Sequence, residues 1–180
     1  MDFLTHLFLP ITVAAVWWPE VFESPAAVAL GGFGLLGDFD KFLGVPGLTH
    51  SLVTIVPISL AVLGAEYWYR GRLAISPVVV ALIASHLVLD FVDGGPVPLL
   101  FPFVETGIGL QYPVRTVFGA GPLGVWWEGP IVTLRTTAPR PGHNTYGFIK
   151  GAGVVSFLAF VTVYWGLRDR RTGASGGGNA

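Results

Sequence analysis

Imidazole and carboxylate side chains gather in four short motifs between residues 6 and 93 of this 180-residue chain. Such groups bind divalent cations and transfer protons, so each motif is a candidate for chemistry. Three of the four histidines in the chain belong to the set. The motifs are His6, Gly37-Asp38-Phe39-Asp40, Thr49-His50-Ser51, and Ser85-His86-Leu87-Val88-Leu89-Asp90, which is followed by Asp93.

The most informative motif joins His86 to Asp90 inside an otherwise apolar stretch. Residues at positions i and i+4 of a helix lie on one face, so the two side chains can share a metal ion or orient each other. Asp93 continues that face. A charged aspartate at the bilayer centre costs about 2.5–3.5 kcal/mol on insertion scales, so such a pair persists when it is partnered, solvated or bound to an ion. A proton or ion relay is the main alternative to a metal site.

The pair Asp38 and Asp40 indicates a cation for a different reason. Two carboxylates this close repel each other, and a bound cation removes the repulsion. The chain has no cysteine, so the ligands must be His, Asp or Glu, a set that favours zinc, with manganese or magnesium as alternatives. The predicted metal ligands are His6, Asp38, Asp40, His50, His86 and Asp90.

Ordinary structural roles are open for the same residues. Asp40 could pair with the neighbouring Lys41, and Thr49 could cap the start of a helix. If a metal binds, water on zinc ionises near pH 7 and becomes a nucleophile. Asp40 or Asp93 would then be the general base, and Arg115 would hold a phosphate group.

The composition indicates which solvent surrounds these motifs. Hydrophobic residues make up 52% of the chain and charged residues 12%, with a mean hydropathy of +0.66. A water-soluble domain carries about a quarter charged residues, so lipid must cover much of this surface. The net charge of −1 excludes a nucleic-acid partner, which would require a basic surface. The predicted fold class is all-α, a polytopic membrane bundle of about five helices.

Apolar stretches place these helices in one membrane domain over residues 1–167. The predicted helices cover about 3–18, 25–37, 48–69, 75–92 and 149–167. The stretches 48–69 and 149–167 have the roughly 20 residues that cross a 30 Å hydrocarbon core. A long Gly/Pro-rich loop over 94–148 is compatible with a short β-hairpin or a re-entrant lid, and 168–180 is predicted to be a flexible tail.

The arginines orient the bundle. Arg70 and Arg72 follow the third helix, and Arg168, Arg170 and Arg171 follow the fifth. By the positive-inside rule both groups are cytoplasmic, which puts the C-terminus inside the cell and the four motifs, with the long loop, near the outer face of a multi-pass plasma or inner membrane protein.

Together the motifs resemble the predicted membrane-bound metal-dependent hydrolases of the YdjM-like family, over about residues 1–103. The resemblance implies a multi-helix inner-membrane protein with a divalent metal site, distantly similar to the all-helical zinc phosphoesterases. The chain departs from the family pattern at Gly37, where proline is usual, and at Val45-Pro46, where His-Arg is usual. The matching residues are His6, Gly34-Leu35-Leu36-Gly37-Asp38-Phe39-Asp40, Gly47-Leu48-Thr49-His50-Ser51-Leu52 and Ser85-His86-Leu87-Val88-Leu89-Asp90.

The leading hypothesis is a membrane-embedded metal-dependent hydrolase that acts on a phosphoester of a lipid or lipid-linked substrate. One alternative is an ion- or proton-translocating protein that uses the face of His86, Asp90 and Asp93. The other is a non-catalytic membrane scaffold that docks through Trp126 and Trp127. The first hypothesis predicts hydrolysis and the second predicts ion flux. The third predicts that His and Asp substitutions have no functional effect. The sequence leaves the oligomeric state open.

Overall fold

The computed structural model describes residues 2–45, 47–118, 124–127, 129–137 and 148–176, most of them helical. Two of the helices are 3-10 helices, the longer of which is called the 3-10 segment below. α5 continues past residue 167 into the stretch predicted as a tail. The helices are α1 (Phe3–Trp17), a 3-10 turn (Val21–Glu23), the 3-10 segment (Pro25–Asp38), α2 (Phe39–Leu43), α3 (Leu52–Arg70), α4 (Ser76–Val92) and α5 (Gly151–Gly176).

The 3-10 segment replaces the helix predicted over 25–37, and its glycines explain why. Gly31, Gly34 and Gly37 recur every third residue and are buried. A 3-10 helix has three residues per turn, so these glycines form one bare stripe along its length. The segment packs by this stripe against α1 and α4. At about 2.0 Å per residue its 14 residues reach about 28 Å, which is close to the thickness of the hydrocarbon core. An α-helix of the same number of residues would be too short to cross that core.

The start and end of α3 follow from the residues beside them. Ser51 is the N-cap, since its hydroxyl accepts a hydrogen bond from Val53 N at 3.1 Å. The helix therefore begins at Leu52, and the capping role considered for Thr49 is wrong. Gly71 ends the helix in the left-handed conformation with φ of 66°, which glycine adopts without strain.

At the centre of the helices, α1, the 3-10 segment and α4 pack against one another. α5 packs along α1 at one side, and α3 packs on α4 at the other. One apolar core joins α1 to α4 and α5 through Ile11, Leu82 and Phe160, and a second joins α3 to α4 through Ile55 and Ile83. The two flanking helices, α3 and α5, are long and apolar enough to cross a membrane, and most of their surface is exposed.

The all-α prediction is wrong for the long loop, which contains four short strands. They are β1 (Thr106–Leu110), β2 (Val114–Val117), β3 (Gly124–Trp127) and β4 (Val132–Thr136). β1 pairs with β4 and β2 pairs with β3, both antiparallel, so the strands belong to one long hairpin. Three residues separate β1 from β2 and four separate β3 from β4, which shifts the register by one residue between the two ladders.

Close backbone contacts fasten the base of this hairpin to the end of α4. A Cβ added at Gly109 would lie 2.6 Å from the carbonyl oxygen of Gly95, and one added at Gly94 would lie 2.7 Å from that of Leu110. Val97 and Ile108 also exchange backbone hydrogen bonds of 2.9 and 3.0 Å. The glycines of both segments therefore let the hairpin begin directly beside the last turn of α4.

Candidate metal-binding site

The ends of four helical elements meet at one end of the molecule and bring the ligand-type side chains together. His6 lies in the first turns of α1, and Asp38 ends the 3-10 segment. His50 precedes α3, while His86 and Asp90 lie in the last turns of α4. Their positions range over most of the N-terminal half of the chain, so the cluster exists only in the folded protein.

The ring of His86 is fully buried, and the main chain of the 3-10 segment holds it in place. Its Nδ1 lies 2.8 Å from the carbonyl oxygen of Gly34. A carbonyl can only accept, so Nδ1 carries a proton, and the neutral tautomer with this proton presents the lone pair of Nε2 to the cluster. Gly37 provides the room, because a Cβ there would lie 2.1 Å from Cδ2 of the ring.

His50 is oriented in the same way by a carboxylate. Its Nδ1 lies 2.9 Å from Oδ2 of Asp40, which also accepts a hydrogen bond from Gly47 N at 2.7 Å. Thr49 braces this loop by donating to the carbonyl oxygen of Gly37 at 2.6 Å and accepting from Asp40 N at 3.2 Å. A carboxylate behind an imidazole is the arrangement that commonly fixes a histidine ligand, with Nε2 directed at the metal.

Acceptor atoms of three residues therefore face one another in the cluster. Nε2 of His50 lies 3.2 Å from Nε2 of His86. Oδ2 of Asp90 lies 3.1 Å from the first of these nitrogens and 3.4 Å from the second. In the neutral tautomers, with a proton only on each Nδ1, no hydrogen would lie between these three atoms, and buried acceptors without donors are costly. A positive charge at this point removes the conflict.

The carboxylates of Asp40 and Asp90 also change the pKa of His50. Burial of the ring lowers the pKa, but hydrogen bonds with Asp40 and Asp90 outweigh this effect and raise the pKa of His50 to about 9. Both carboxylates thus favour a cation between them, whether it is a proton on the imidazole or a metal ion that takes its place.

His6 completes the cluster from the side of α1. Its ring stacks on that of His86 with centroids 4.1 Å apart, and its Nε2 lies 3.0 Å from Oδ1 of Asp90. Neither ring nitrogen of His6 is aligned for a hydrogen bond, although the ring is almost completely buried. Buried polar atoms in proteins are nearly always hydrogen-bonded, so these nitrogens fit a site built to receive an ion.

Asp38 and Lys41 form the edge of the cluster. Oδ1 of Asp38 lies 3.6 Å from Nε2 of His86 and is in direct contact with the ammonium group of Lys41. The pairing considered between Asp40 and Lys41 is therefore replaced by one between Asp38 and Lys41. The ammonium group of Lys41 therefore adds a positive charge beside the candidate ligands.

Two groups of three residues could each hold a metal ion, and within each group the ligand atoms lie within 4.8 Å of one another. Both contain His86, whose Nε2 serves one ion at a time, which suits one ion shared by the set. Imidazole nitrogen with carboxylate oxygen is the donor set of zinc and related divalent cations. The groups are His6 with His86 and Asp90, and Asp38 with His50 and His86.

The remaining predicted site residues belong to neither of these two ligand groups. Asp40 contacts His50 but belongs to neither ligand group, so its position is that of an orienting carboxylate. Asp93 is exposed at the end of α4, and Arg115 is exposed on β2 opposite Trp126. Neither joins a ligand group among the described residues. His143, the one histidine outside the four motifs, lies outside the described residues.

Sequence reasoning did not assign roles to the backbone and small residues that position the ligands. The Gly34 carbonyl fixes the tautomer of His86, Gly37 makes space for its ring, and the Thr49 hydroxyl ties two loops together. The glycine spacing of three was the signal that could have revealed the 3-10 stripe.

The model of the YdjM inner membrane protein family matches residues 1–169 of the chain. The predicted resemblance to the YdjM family is therefore confirmed, and the match continues past residue 103 through the strands and into α5. No curated protein and no solved structure matches the chain significantly.

Proposed function

We propose that this chain, which belongs to the YdjM inner membrane protein family, is a metal-dependent hydrolase that works at one surface of the bilayer. The observation that carries the proposal is the set of facing acceptors, Nε2 of His50, Nε2 of His86 and Oδ2 of Asp90, within 3.1–3.4 Å of one another. Such a set is stable when a cation is bound. The family supports a membrane location, with the lipid bilayer as the surrounding partner.

The ligand set proposed for a divalent cation comprises three imidazoles and the carboxylates at the cluster. A bound zinc, or manganese or magnesium, supplies Lewis acidity and lowers the pKa of a water molecule. Asp40 holds His50 in the tautomer that presents Nε2, and the Gly34 carbonyl does the same for His86. The ligands are His6, Asp38, His50, His86 and Asp90.

Charge and access indicate what kind of substrate suits the cluster. Among the groups that pair there, Lys41 is the most exposed cation, and Asp90 is 17% exposed whereas His86 is closed off. A substrate would therefore approach along the Asp90 and Lys41 side, where the ammonium can bind an anionic oxygen. Because the helices around the cluster are apolar, a phosphoester of a lipid or lipid-linked molecule is the proposed substrate. Lys41 takes over the clamping role considered for Arg115.

The membrane arrangement is part of the proposal. The cluster, the hairpin base and the start of α1 lie at one end of the helices, and Arg70 and Arg72 lie at the other. Placing the arginines in the cytoplasm puts the cluster at the outer face and the C-terminus inside, in one membrane domain that covers 1–167.

Metal binding by the purified protein tests the proposal directly. After chelation and dialysis, titration with Zn²⁺ and Mn²⁺ should give one bound ion per chain by elemental analysis. Asp90→Asn keeps the shape of the side chain and should abolish this binding, and His86→Ala should do the same. Glu66→Gln, at the other end of α4, is the matched control and should bind as the wild type does.

Hydrolysis is measured separately on lipid phosphomonoesters and phosphodiesters in mixed micelles, with the metal that binds. Activity that disappears in Asp90→Asn while Glu66→Gln retains it would support the proposal. Wild-type protein that binds neither metal, or that binds equally well without His86 and Asp90, would overturn it.

Ion or proton translocation is the second candidate, and the hydrogen-bonded series Asp40–His50–Asp90 favours it. The distances along this series are 2.9 and 3.1 Å, so a proton on His50 could be passed to either carboxylate. Proteoliposomes should then show a proton or cation flux that is lost in Asp90→Asn, without hydrolysis of any phosphoester.

A further inference from the structure

The outer half of the long hairpin, β2 with β3, is a two-stranded ribbon without a core. Its four residues on β3 are all exposed, as are Val114, Arg115 and Thr116 on β2. A two-stranded ribbon that water surrounds on both faces is only marginally stable. This part of the molecule, called the distal ribbon below, is therefore expected to have a partner.

The register gives the distal ribbon one apolar face. Val114 lies opposite Trp127 and Thr116 lies opposite Val125, and alternation places these four side chains on the same side. Val125 is 70% exposed and Trp127 is 58% exposed. The indole N–H of Trp127 donates to the carbonyl oxygen of Gly129 at 3.0 Å, so the ring can enter an apolar medium without an unpaired donor.

The opposite face of the distal ribbon has a different character. It carries Arg115 directly across from Trp126, and Gly124 is on the same side, since a Cβ there would lie 3.7 Å from the indole nitrogen of Trp126. Arginine and tryptophan together are typical of the headgroup level of a bilayer, where the cation meets phosphate and the indole spans the polar boundary.

The distal ribbon also starts at the end of α4 that carries the cluster. The hydroxyl of Tyr112, two residues before β2, donates to the carbonyl oxygen of Val92 at 2.8 Å, which ties the ribbon to the last residue of α4. Asp90 and the rest of the cluster lie at this end of α4. The ribbon therefore leaves the helices where they end, which is where the proposed membrane arrangement places the bilayer interface.

We infer that the distal ribbon lies in the bilayer interface beside the cluster, with Val114, Val125 and Trp127 turned to the acyl chains. Arg115 and Trp126 then face the phospholipid headgroups. The partner is the lipid surface itself, chosen because the chain is a membrane protein and because the two faces match the two layers of the interface. This inference rests on the family and on the register of the strands, and it holds whether or not the cluster binds a metal.

The absence of cysteine from the chain makes a site-specific test simple. Val125→Cys and Gly124→Cys are adjacent on β3 and on opposite faces, and each is labelled with a nitroxide after reconstitution in phosphatidylcholine–phosphatidylglycerol vesicles. Leu60→Cys, on the exposed side of α3, is the reference for a lipid-facing position. The accessibility of each label to oxygen and to a water-soluble nickel complex reports its depth.

The ratio of oxygen to nickel accessibility at position 125 should exceed that at 124 several-fold and approach the value at position 60. Equal access of the nickel complex to 124 and 125 would place the ribbon in water and overturn the inference. A label at 125 that neither reagent reaches would place it against protein, such as a second copy, and would also overturn it.

Tryptophan fluorescence provides an independent measurement in case a labelled variant does not fold. Brominated lipids quench indole only at short range, so the quenchable fraction of the emission should fall more in Trp127→Phe than in Trp126→Phe. An equal fall in the two variants would contradict a ribbon with one lipid-facing side.

Discussion

A carboxylate lies at each end of α4, Glu66 from the last turn of α3 at its start and Asp90 of α4 itself at its end, and the surroundings of the two carboxylates are opposite. At the N-terminal end, Glu66 accepts hydrogen bonds from the backbone N–H groups of Ala74, Ile75 and Ser76 and from the Ser76 hydroxyl, at 2.6–3.1 Å. At the C-terminal end, Asp90 meets imidazole nitrogens at 3.0–3.4 Å. Only the first carboxylate is surrounded by fixed donors.

The helix itself increases this difference. A helix N-terminus carries a partial positive charge and stabilises Glu66, whereas the partial negative charge at the C-terminus disfavours Asp90. Glu66 is therefore complete without any bound ion, since it pairs with Arg70 at 3.3 Å and also caps α4. Asp90 instead takes its positive partner from the imidazoles around it, whose protons a metal ion can replace. A carboxylate thus indicates an ion site by what surrounds it more than by its presence.

The largest effect is expected for Asp90→Asn. Metal affinity should fall by more than the roughly 10–100-fold that loss of a group behind a ligand costs, because the amide removes the anionic ligand itself. Isothermal titration with Zn²⁺ measures this loss. The metal-free variant also loses the ion pair between Asp90 and the protonated His50, so its stability at neutral pH should fall as well; unchanged Zn²⁺ affinity would show that Asp90 is not a ligand.

A methyl group at Gly37 should be nearly as damaging to the cluster. Gly37→Ala places a Cβ 2.1 Å from the His86 ring, so the ring must move and lose its hydrogen bond to Gly34. Metal binding should be lost, with destabilisation of about 1–3 kcal/mol from overpacking. Gly32→Ala is the matched control in the same segment, since nothing lies within 4 Å of its added Cβ. Equal metal binding by the two variants would contradict this arrangement.

Asp40→Asn should have a smaller and graded effect. The amide oxygen can still accept from Nδ1 of His50, but without the negative charge it stabilises less well the tautomer that directs Nε2 toward Asp90. A loss of metal affinity of roughly 10–100-fold is expected, with the stoichiometry unchanged. Complete loss of the bound ion would instead make Asp40 a direct ligand, as the sequence alone had suggested.

Glu66→Gln should change stability and leave the ion site intact. The amide keeps one acceptor but turns the other toward backbone N–H groups as a donor, so the cap on α4 weakens. The Tm in detergent should fall by roughly 5 °C, while Zn²⁺ affinity stays within about twofold of the wild type. A parallel loss of metal binding would show that the two ends of α4 are coupled, and the comparison between them would fail.

Much of the cluster was predictable because residue type limits the chemistry. His86 and Asp90 at i and i+4 inside an apolar stretch had to share a face, and the absence of cysteine limited the ligands to nitrogen and oxygen. The apolar lengths of α3 and α5 likewise required helices that can cross a bilayer. These features are local, and each can be recognised within about twenty residues.

The hairpin and the 3-10 segment were harder to predict, since each depends on contacts with distant parts of the chain. The strands of the hairpin are short, and glycine is favourable at 107 and 109 because Pro96 lies against Gly107 and the backbone of Gly94 and Gly95 lies against Gly109. Local propensity for such a glycine-rich stretch favours a loop. The tertiary packing provides the stabilisation that local propensity lacks.

Composition and spacing alone established a lipid-embedded helical chain with imidazole and carboxylate groups available for an ion. They did not establish the state of those groups. The carbonyl that sets the tautomer of His86 is 52 positions away, and the carboxylate that orients His50 is 10 positions away in the short helix α2. Which nitrogen carries a proton, and so which lone pair faces Asp90, depends on these partners because the tautomer follows the hydrogen bond. Folding brings the candidate ligand atoms face to face, and a cation between them compensates for the mutual repulsion of these acceptors.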